Sequence, residues 1–386
     1  MHKAIIVGCG LTGSVIARHL AEEKHYDVTI LERRNHIAGN LYDFVDENGI
    51  LVQRYGPHIF HTNSESVYEY ITRFHKWNPF KLECMVYMNG HFTPSPFNFA
   101  TIDTFFPAEK AAQIKEHLRS AYPSRDRATI VEMLESTDAV VREYAQFLFD
   151  NDYSLYTAKQ WGISPSEIDV SVLRRVPVLF SYETGYFKAA HELMPQDGFT
   201  SFVRSILDHP NIHIELGQEA QLRIRLCEEQ GEILLDGTPF HGPVIWTGML
   251  DQLFCADLGQ LPYRSLRFEW KTCNQSSYQQ APVVAYPQEE GFTRIAEYSK
   301  LPVQQCKERT TLAVEYPTPY KPDGSTEPYY PIPTAESQKL YQAYLQRASH
   351  FKNLYPCGRL GQYRYYDMDN AIEAALEIAG TIPSAI

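Results

Sequence analysis

The sequence is poor in positive charge. Its 386 residues include 35 Lys and Arg against 47 Asp and Glu, which gives a formal net charge of −12 at pH 7. Because nucleic-acid backbones attract basic surfaces, this balance argues against a protein that binds nucleic acid through its overall charge. Any anionic ligand must instead meet a local group of cations. At roughly 150 residues per domain, the length predicts two to three domains with a sizeable core.

Cysteine pairs and long apolar runs are also lacking. The seven cysteines include no C-x-x-C pair, so neither a disulfide framework nor a cysteine zinc site is predicted. Only four apolar residues precede Gly8, too few for the core of a signal peptide, and no stretch approaches the about 18 apolar residues of a membrane helix. We therefore expect a cytoplasmic protein without membrane insertion.

Tyrosine, in contrast, is present in excess. The chain has 26 Tyr, 20 Phe and 4 Trp. A tyrosine ring packs against apolar groups while its hydroxyl still needs a polar partner. A wet cleft lined by tyrosines is therefore predicted.

The first 32 residues have the pattern of a βαβ unit. Residues 4–7 are all apolar, as in a strand buried on both faces, and residues 14–23 carry apolar side chains at near-helical spacing. Residues 28–32 predict a second strand. Such a unit places the two strands in parallel, with a right-handed crossover between them.

A glycine motif lies between the first strand and the helix. Gly8, Gly10 and Gly13 fit G-x-G-x-x-G, in which the glycines allow a tight turn, close approach of a pyrophosphate and close packing of helix on strand. Glu32 ends the second strand, where a carboxylate can bind the ribose hydroxyls of an adenosine. Ser14 stands where a Walker A motif needs Lys, so the predicted ligand is a dinucleotide, NAD or FAD.

The rest of the chain divides by composition. Residues 107–157 contain no glycine, and charged and apolar residues alternate there at helical spacing, so a helical insertion is predicted. Residues 176–333 contain short β-rich runs separated by Pro, Gly and Tyr, which predict a twisted, mostly antiparallel sheet. Helical spacing returns in residues 336–351 and 369–379.

Two histidines stand close together between the first helix and the insertion. His58 and His61 have no carboxylate or cysteine at ligand spacing, so no metal site is predicted. They are either ordinary packed histidines or parts of a ligand site.

Six motifs carry a resemblance to a known family. In chain order they are GCGLTG (8–13), RNHIAGN (34–40), YGPHIFHTN (55–63), KQWG (159–162), EPYYP (327–331), and GRL (358–360) followed by YYDM (365–368). They run in order from the first strand to the last helix. On these motifs the sequence resembles the bacterial UDP-galactopyranose mutase family.

The resemblance implies an isomerase that uses FAD and is active only when the FAD is reduced. Such enzymes interconvert a nucleotide-linked galactopyranose and galactofuranose, without net redox change, for cell-surface polysaccharide biosynthesis. The flavin N5 attacks the anomeric carbon and displaces the nucleoside diphosphate, the sugar ring opens and closes on another hydroxyl, and the diphosphate returns. The implied fold class is α/β, a Rossmann-type FAD-binding domain with a helical insertion domain and a mainly antiparallel β-sheet domain.

The resemblance also implies a domain division and a partner. The partner is a nucleotide-diphosphate sugar, and a homodimer is expected. The implied domains are a discontinuous FAD-binding domain of residues 1–80, 205–250 and 345–386, a helical insertion of residues 99–165, and a sheet and substrate domain of residues 81–98, 166–204 and 251–344.

Site residues follow from their positions in the matching segments. The resemblance implies a catalytic role for Arg175 and Arg294 as cations at the diphosphate, and for His58 and His61 beside the flavin. Arg175 lies on an implied mobile loop, residues 168–180. The implied substrate-binding residues are Leu82, Tyr156, Thr157, Trp161, Tyr186, Ala285, Glu315, Tyr330, Arg359, Tyr365 and Asp367. The implied cofactor-binding residues are Gly8, Gly10, Thr12, Gly13, Glu32, Arg33, Gly39, Asn40, His58, Ile59, Arg359, Met368, Asp369 and Ile372.

Three departures from the family pattern leave the substrate open. Leu82 and Ala285 stand where galactose-specific members carry a sugar-facing Asn, and Asp152 stands near the base where some members have an aromatic residue. Because lost hydrogen-bond partners weaken recognition of a hydroxylated sugar, dTDP-fucopyranose and UDP-N-acetylgalactosamine are alternatives to UDP-galactopyranose. An amine-oxidase-like flavin oxidase and a non-catalytic nucleotide-sugar binding protein are the rival hypotheses from other classes.

Overall fold

The computed structural model describes residues 2–161, 176–305 and 308–385, with Trp161 described in its backbone alone. Arg175, most of the loop predicted for residues 168–180 and the Trp161 side chain therefore lie outside the described residues.

The described helices and strands follow one another in the order below. The helices are α1 (Leu11–Glu22), α2 (Glu65–Phe74), α3 (Phe99–Phe105), α4 (Ala108–Ala121), α5 (Ile130–Leu134), α6 (Ala139–Leu148), α7 (Ser154–Trp161), α8 (Phe199–Leu207), α9 (Ala220–Arg223), α10 (Leu250–Leu253), α11 (Ala335–Ala348), α12 (Gly358–Gly361) and α13 (Met368–Thr381). The strands are β1 (Lys3–Val7), β2 (Asp27–Glu32), β3 (Asp43–Val45), β4 (Leu51–Gln53), β5 (Phe60–Thr62), β6 (Trp77–Pro79), β7 (Cys84–Met88), β8 (His91–Ser95), β9 (Arg127–Thr129), β10 (Pro177–Leu179), β11 (His191–Pro195), β12 (Ile212–Leu216), β13 (Ile224–Cys227), β14 (Glu232–Leu235), β15 (Thr238–Pro239), β16 (Val244–Trp246), β17 (Tyr263–Cys273), β18 (Val283–Ala285), β19 (Arg294–Glu297), β20 (Thr310–Pro319), β21 (Tyr330–Pro331) and β22 (Leu354–Pro356). A 3-10 turn covers Gly39–Leu41, and a π-helical turn, Phe149–Tyr153, joins α6 to α7.

A parallel sheet in the order β12-β2-β1-β16-β22 is built from distant parts of the chain. β1 pairs in parallel with β2 and with β16, as the predicted βαβ unit requires. Helices α8 and α13 pack on α1, and their apolar side chains cover one face of the sheet. On the other face, Trp246 packs with Tyr344 and Phe351. Because both faces are covered at the centre of the sheet, residues 4–7 of β1 and all of β16 are apolar, whereas the edge strand β12 alternates apolar and polar side chains.

A larger sheet in the order β21-β17-β20-β19-β18-β7-β8 lies beside the parallel one. Its pairs are antiparallel except for β18 with β7. The long strands β17 and β20 contain the two runs that predicted strands in this region. The predicted fold class is confirmed, because a Rossmann-type parallel sheet, a helical insertion and a mainly antiparallel sheet are all present.

Helices α3 to α7 form the helical part of the chain. Its core includes Ile114, Tyr144 and Leu148 and also contains Val86 and Met88 of β7. β9 interrupts this stretch and pairs with β10, so the predicted helical insertion is not helical throughout. The exact domain boundaries stay a prediction. Of the helices described, none combines the length and the apolar character needed to cross a membrane.

Candidate active site

A cleft of ≈ 440 Å³ lies at the carboxyl ends of the parallel strands. Its walls include Gly8 after β1, Glu32 at the end of β2, Thr247 after β16 and Arg359 beyond β22. Open parallel sheets bind ligands at this edge, and the volume falls within the roughly 300–1,000 Å³ of small-molecule pockets. The cleft is therefore where the predicted dinucleotide belongs.

Glycines bring two backbone turns into contact in the floor of the cleft. A Cβ atom at Gly13 would lie 2.1 Å from the Gly8 carbonyl oxygen, and one at Gly39 would lie 2.9 Å from the Gly10 Cα. Gly8 and Gly39 also have φ of +99° and +55°, a region that favours glycine. The glycines thus let the two turns and the helix pack backbone against backbone, and no side chain at these positions covers the backbone that a bound pyrophosphate would approach.

Glu32 is held rigidly at the edge of this cradle. Its side chain is buried, and its two oxygens accept hydrogen bonds from the backbone N–H of Cys9 at 2.8 Å and of Arg34 at 2.9 Å. A carboxylate fixed in this way keeps lone pairs for the hydroxyls of a ribose. The residues present therefore fit an adenine dinucleotide.

Two helices point their N-termini into the cleft. α1 begins at Leu11 and α13 at Met368, and both residues line the cavity. Helix N-termini stabilise negative charge. Of the predicted cofactor-binding residues, the cleft wall contains Gly8, Gly10, Thr12, Gly13, Glu32, Arg33, Gly39, Asn40, His58, Arg359 and Met368.

The other predicted cofactor residues lie behind the wall. The side chains of Ile59 and Ile372 are buried in the core that α1 and α13 share, and neither they nor Asp369 line the cleft. Asp367, predicted for the substrate, does line it. Contacts of Ile59, Asp369 and Ile372 with a cofactor stay a prediction.

Sequence reasoning missed a group of cleft residues around Arg34. An Nη atom of Arg34 lies 2.7 Å from the Glu327 carboxylate, and its guanidinium carbon lies 4.4 Å from the centre of the Tyr55 ring. Arg34, Glu327 and Tyr329 line the cleft. RNHIAGN and EPYYP contain three of these residues, but no local pattern indicates that residues 293 positions apart form an ion pair.

The larger sheet presents a row of side chains toward the second part of the site. Directly paired residues run across it from Phe268 through Glu315, Arg294 and Ala285 to Val86. Residues paired in this way have their Cβ atoms on the same face, about 5 Å apart. The row therefore brings the predicted residues Arg294, Glu315 and Ala285 together.

Arg294 and Glu315 form a partly buried ion pair at the centre of this row. Arg294 Nε and an Nη atom lie 2.8 and 2.7 Å from Glu315 Oε2, and the Glu315 side chain is only 3% exposed. Burial opposes the charge of Arg294, but Glu315 and the nearby Tyr156 and Tyr330 outweigh it and raise the pKa of the guanidinium. Arg294 is thus charged and held in one orientation.

A cluster of Arg359, Tyr330 and Tyr365 connects the two parts of the site. The Arg359 guanidinium carbon lies 5.2 Å from the centre of each ring, and the two ring centres are 5.9 Å apart. Tyr365 donates a hydrogen bond to Asp367 at 2.9 Å. Arg359 lines the cleft, and Tyr330 is close enough to Arg294 to help raise the pKa of its guanidinium. The cleft therefore adjoins the row that contains Arg294 and Glu315, which we name the charged row.

His58 lies where these groups meet. Burial, together with the positive charges of Arg359 and Arg294, lowers the pKa of His58 to about 4. Nδ1 lies 2.8 Å from the Gly56 carbonyl oxygen, which only accepts, so Nδ1 carries the proton. The ring is therefore neutral near pH 7, with Nε2 left as an acceptor.

The other predicted residues have contacts of their own. The His61 ring stacks on Phe187 at 3.9 Å, and Tyr186 next to it donates its backbone N–H to the Leu82 carbonyl at 2.7 Å. The Leu82 side chain is buried in the core, and Thr157 is also buried. No group of three or more His, Cys, Asp or Glu suited to a metal ion occurs in the described ranges.

The chain is similar to known proteins along nearly its whole length. The family described as UDP-galactopyranose mutase matches residues 151–365, and the one described as an NAD(P)-binding Rossmann-like domain matches residues 6–74. A Klebsiella pneumoniae protein named “Probable UDP-galactopyranose mutase” is 36% identical, over 99% of this chain and 95% of its own. The dTDP-fucopyranose mutase of Escherichia coli is 33% identical, over 98% of each chain.

Solved structures show the same fold. A crystal structure of reduced UDP-galactopyranose mutase superposes with a TM-score of 0.70 at 18% identity, covering 98% of this chain and 95% of that one. A putrescine oxidase bound to putrescine reaches a TM-score of 0.54 at 13% identity, covering 98% of each chain. At such identities the likeness extends to the fold alone, so the oxidase hypothesis gains no support from it. The near full-length sequence matches show that the chain belongs to the UDP-galactopyranose mutase family and is an isomerase, a nucleotide-sugar mutase.

Proposed function

We propose that the chain binds FAD, works with the cofactor reduced, and interconverts the pyranose and furanose forms of UDP-galactose. The observation that carries the proposal is Arg359, which lines the dinucleotide cleft and also stacks on Tyr330, next to the charged row of the larger sheet. A ligand in the cleft and a sugar diphosphate at Arg294 would therefore adjoin. When bound and reduced, the flavin supplies a nucleophilic nitrogen that can attack an anomeric carbon.

The residues of the parallel sheet would hold the cofactor. The backbone of Gly8 to Gly13 and the N-terminus of α1 would face the pyrophosphate, and Glu32 would bind the adenosine ribose. The N-terminus of α13 at Met368 would favour the negative charge of a reduced isoalloxazine. His58, which is neutral, would accept a hydrogen bond at Nε2 rather than act as a general base.

Arg294 would bind the diphosphate and stabilise the charge that develops on it as the leaving group. Its planar guanidinium keeps donors free beside Glu315 Oε2, and Glu315 prevents it from swinging away. The hydroxyl of Tyr330 would donate to a phosphate oxygen, and that of Tyr365 would do so on leaving Asp367. Arg175 is proposed as a second cation at the diphosphate, from the resemblance alone.

The sugar is the least constrained part of the proposal. Ala285 is paired with Arg294 and so presents a methyl group on the face that carries the charged row. Because a methyl group makes no hydrogen bond, this observation favours a sugar with one hydroxyl fewer, such as dTDP-fucopyranose, as a second candidate. A homodimer and a cytoplasmic location stay predictions.

An anaerobic assay tests the proposal. The FAD-loaded protein, with and without dithionite, is incubated with UDP-galactose, UDP-N-acetylgalactosamine or dTDP-fucose, and chromatography monitors a new peak of unchanged mass. We expect conversion only after reduction. Conversion without reductant would contradict the redox requirement. Turnover of an amine in a parallel assay with oxygen, and of none of the sugars, would contradict the proposed chemistry.

A second arm tests Arg294. We expect Arg294→Ala to lower turnover by at least about 10²-fold, the scale for removing a stabiliser of a developing anion, while FAD stays bound. Arg267→Ala is the matched control, because Arg267 is exposed on the same sheet and lies over Tyr316. Near-normal turnover of Arg294→Ala would show that Arg294 does not stabilise the diphosphate leaving group.

A further inference from the structure

A loop of the larger sheet crosses the cleft. Residues 320–329, which we name the strap, join β20 to β21, and seven of them line the cavity opposite the glycine turn. Residues 321–325 are exposed, and Pro328 and Tyr329 are buried. The strap therefore starts in solvent and ends inside the site, as a cover over one end of the cleft.

Glu327 fastens the strap to the parallel sheet. Its carboxylate forms ion pairs with Arg33 and, at 2.7 Å, with Arg34, the two residues that follow β2. Burial opposes ionisation of Glu327, but Arg34 and Arg33 outweigh it and lower its pKa. The carboxylate is therefore charged at neutral pH. Its ion pairs join a loop of the larger sheet to the end of β2 in the parallel sheet.

Arg34 is positioned for this role by other partners. Both of its Nη atoms donate to Asn40 Oδ1 at 3.1 Å, and its guanidinium lies over the Tyr55 ring. Its side chain is 14% exposed. Removing the carboxylate would leave a largely buried guanidinium charge without its partner. The Arg34 and Glu327 pair therefore stabilises this arrangement more than an ion pair on the surface would.

At its end the strap is bound to its own sheet, where the Tyr329 N–H donates to the Arg264 carbonyl at 2.9 Å. Its other hydrogen bonds to the opposite wall of the cleft are longer than the Glu327 pair with Arg34. At its start, Gln252 donates to the Tyr320 hydroxyl at 3.2 Å, and at its end Arg359 donates to the Tyr329 carbonyl at 3.4 Å. Its exposed residues, Lys-Pro-Asp-Gly-Ser, offer little apolar surface to bury. The ion pairs of Glu327 are thus its strongest connection to the opposite wall of the cleft.

We propose that Arg34 and Glu327 act as a clasp that retains the bound cofactor by holding the strap over the end of the cleft beside Glu32. This inference rests on the proposed function in one respect, that the cofactor is FAD. Glu32 would bind the adenosine ribose, so the clasp encloses the adenosine side and leaves the sugar site open. Opening the clasp would then be a step in FAD release and not in turnover.

The test measures FAD release from the holoprotein by the rise in flavin fluorescence after dilution. Because a hydrogen-bonded charge contributes about 1.5–3 kcal/mol, we expect Glu327→Gln to release FAD about 10-fold faster or more. Asp323→Asn is the matched control, since Asp323 lies on the exposed part of the strap and accepts a hydrogen bond from the Ser325 backbone N–H there. Raising the salt concentration would speed release from the native protein and not from Glu327→Gln.

The outcomes separate this inference from the proposed function. Release from Glu327→Gln that is about threefold faster or more, with Asp323→Asn unchanged, supports the clasp, and a smaller increase overturns it. If Glu327→Gln folds poorly, as circular dichroism would show, Arg34→Lys takes its place, because Lys keeps the charge but makes fewer hydrogen bonds. A native protein that binds no FAD would instead overturn the proposed function.

Discussion

At the scale of single residues, Asp152 is the most unusual group outside the proposed chemistry. It lies in the π-helical turn and is buried, and no donor among the described residues lies within hydrogen-bond distance of its carboxylate. The nearest cation, Lys159, donates instead to the carbonyls of Tyr286 and Phe292 at 2.7 and 2.8 Å. Burial raises the pKa of Asp152 to about 7, and Lys159 lowers it only in part.

This environment predicts a pH-dependent gain in stability for Asp152→Asn. The folded pKa lies above the unfolded value of 3.8, so between those values the folded chain keeps a proton that the unfolded chain loses, and the free energy of unfolding falls as pH rises. Because Asn does not ionise, the free energy of unfolding of Asp152→Asn does not fall in this way. Its advantage should grow from pH 4 to 7 to roughly 2–4 kcal/mol and then stay constant.

Urea unfolding at several pH values measures the advantage. Asp150→Asn is the control, because Asp150 is exposed and accepts a hydrogen bond from Gln146 at 2.8 Å. If the free energies of unfolding of the native protein and Asp152→Asn change in parallel with pH, the fold does not hold the Asp152 carboxyl protonated.

Residues that the backbone itself requires were predictable from the sequence, and residues paired over long distances were not. Gly13 and Glu32 stand in a local pattern because their function depends on a single turn and the strand that follows it. The composition of the segment containing Arg34 also fits a solvated basic loop. Its pairing with Glu327 depends on how two sheets meet, which no window of the sequence contains.

At the scale of elements, long periodic segments were predictable, whereas short strands were not. β1, α1 and β2 follow their patterns to within a few residues, as do α11 and α13. β16 and β22 have three residues each and become strands because β1 and β16 offer paired edges. Their identity is decided by the sheet and not by their own sequence.

The packing of α1 on its strand predicts that Gly13→Ala abolishes FAD binding and lowers stability. A Cβ there would lie 2.1 Å from the Gly8 carbonyl oxygen and 3.2 Å from its carbon, so the helix must move away from the turn. In an unhindered helix the same change stabilises by about 1 kcal/mol. Gly380→Ala in α13 is therefore the control, because nothing lies within 4 Å of its added Cβ.

Thermal unfolding and FAD titration of both variants check this prediction. We expect the melting temperature to fall for Gly13→Ala and to stay level or rise for Gly380→Ala, with FAD bound only by the latter. Normal FAD binding by Gly13→Ala would mean that the turn tolerates a wider separation of helix and strand than its geometry indicates.

At the scale of the whole molecule, the cleft and the core join the two main sheets. The cleft wall includes Glu32 from the parallel sheet and Glu327 from the strap of the larger one. One continuous core contains Ile6 and Phe60 together with Ala296 and Ala313 of the larger sheet. A molecule connected in this way should unfold as one unit rather than sheet by sheet.

A ligand in the cleft should therefore stabilise the entire chain. FAD at 100 times its Kd would raise the free energy of unfolding by about 2.7 kcal/mol, because it binds the folded state and not the unfolded one. We expect a single transition that shifts to the same higher temperature by far-ultraviolet circular dichroism and by tryptophan fluorescence. Two transitions, of which FAD moves one alone, would show that the shared core does not couple the sheets. The core around Tyr144 and Leu148 is separate from this shared core but also contains Val86 and Met88 of β7. The helical insertion, together with that strand, is therefore the part that would separate first.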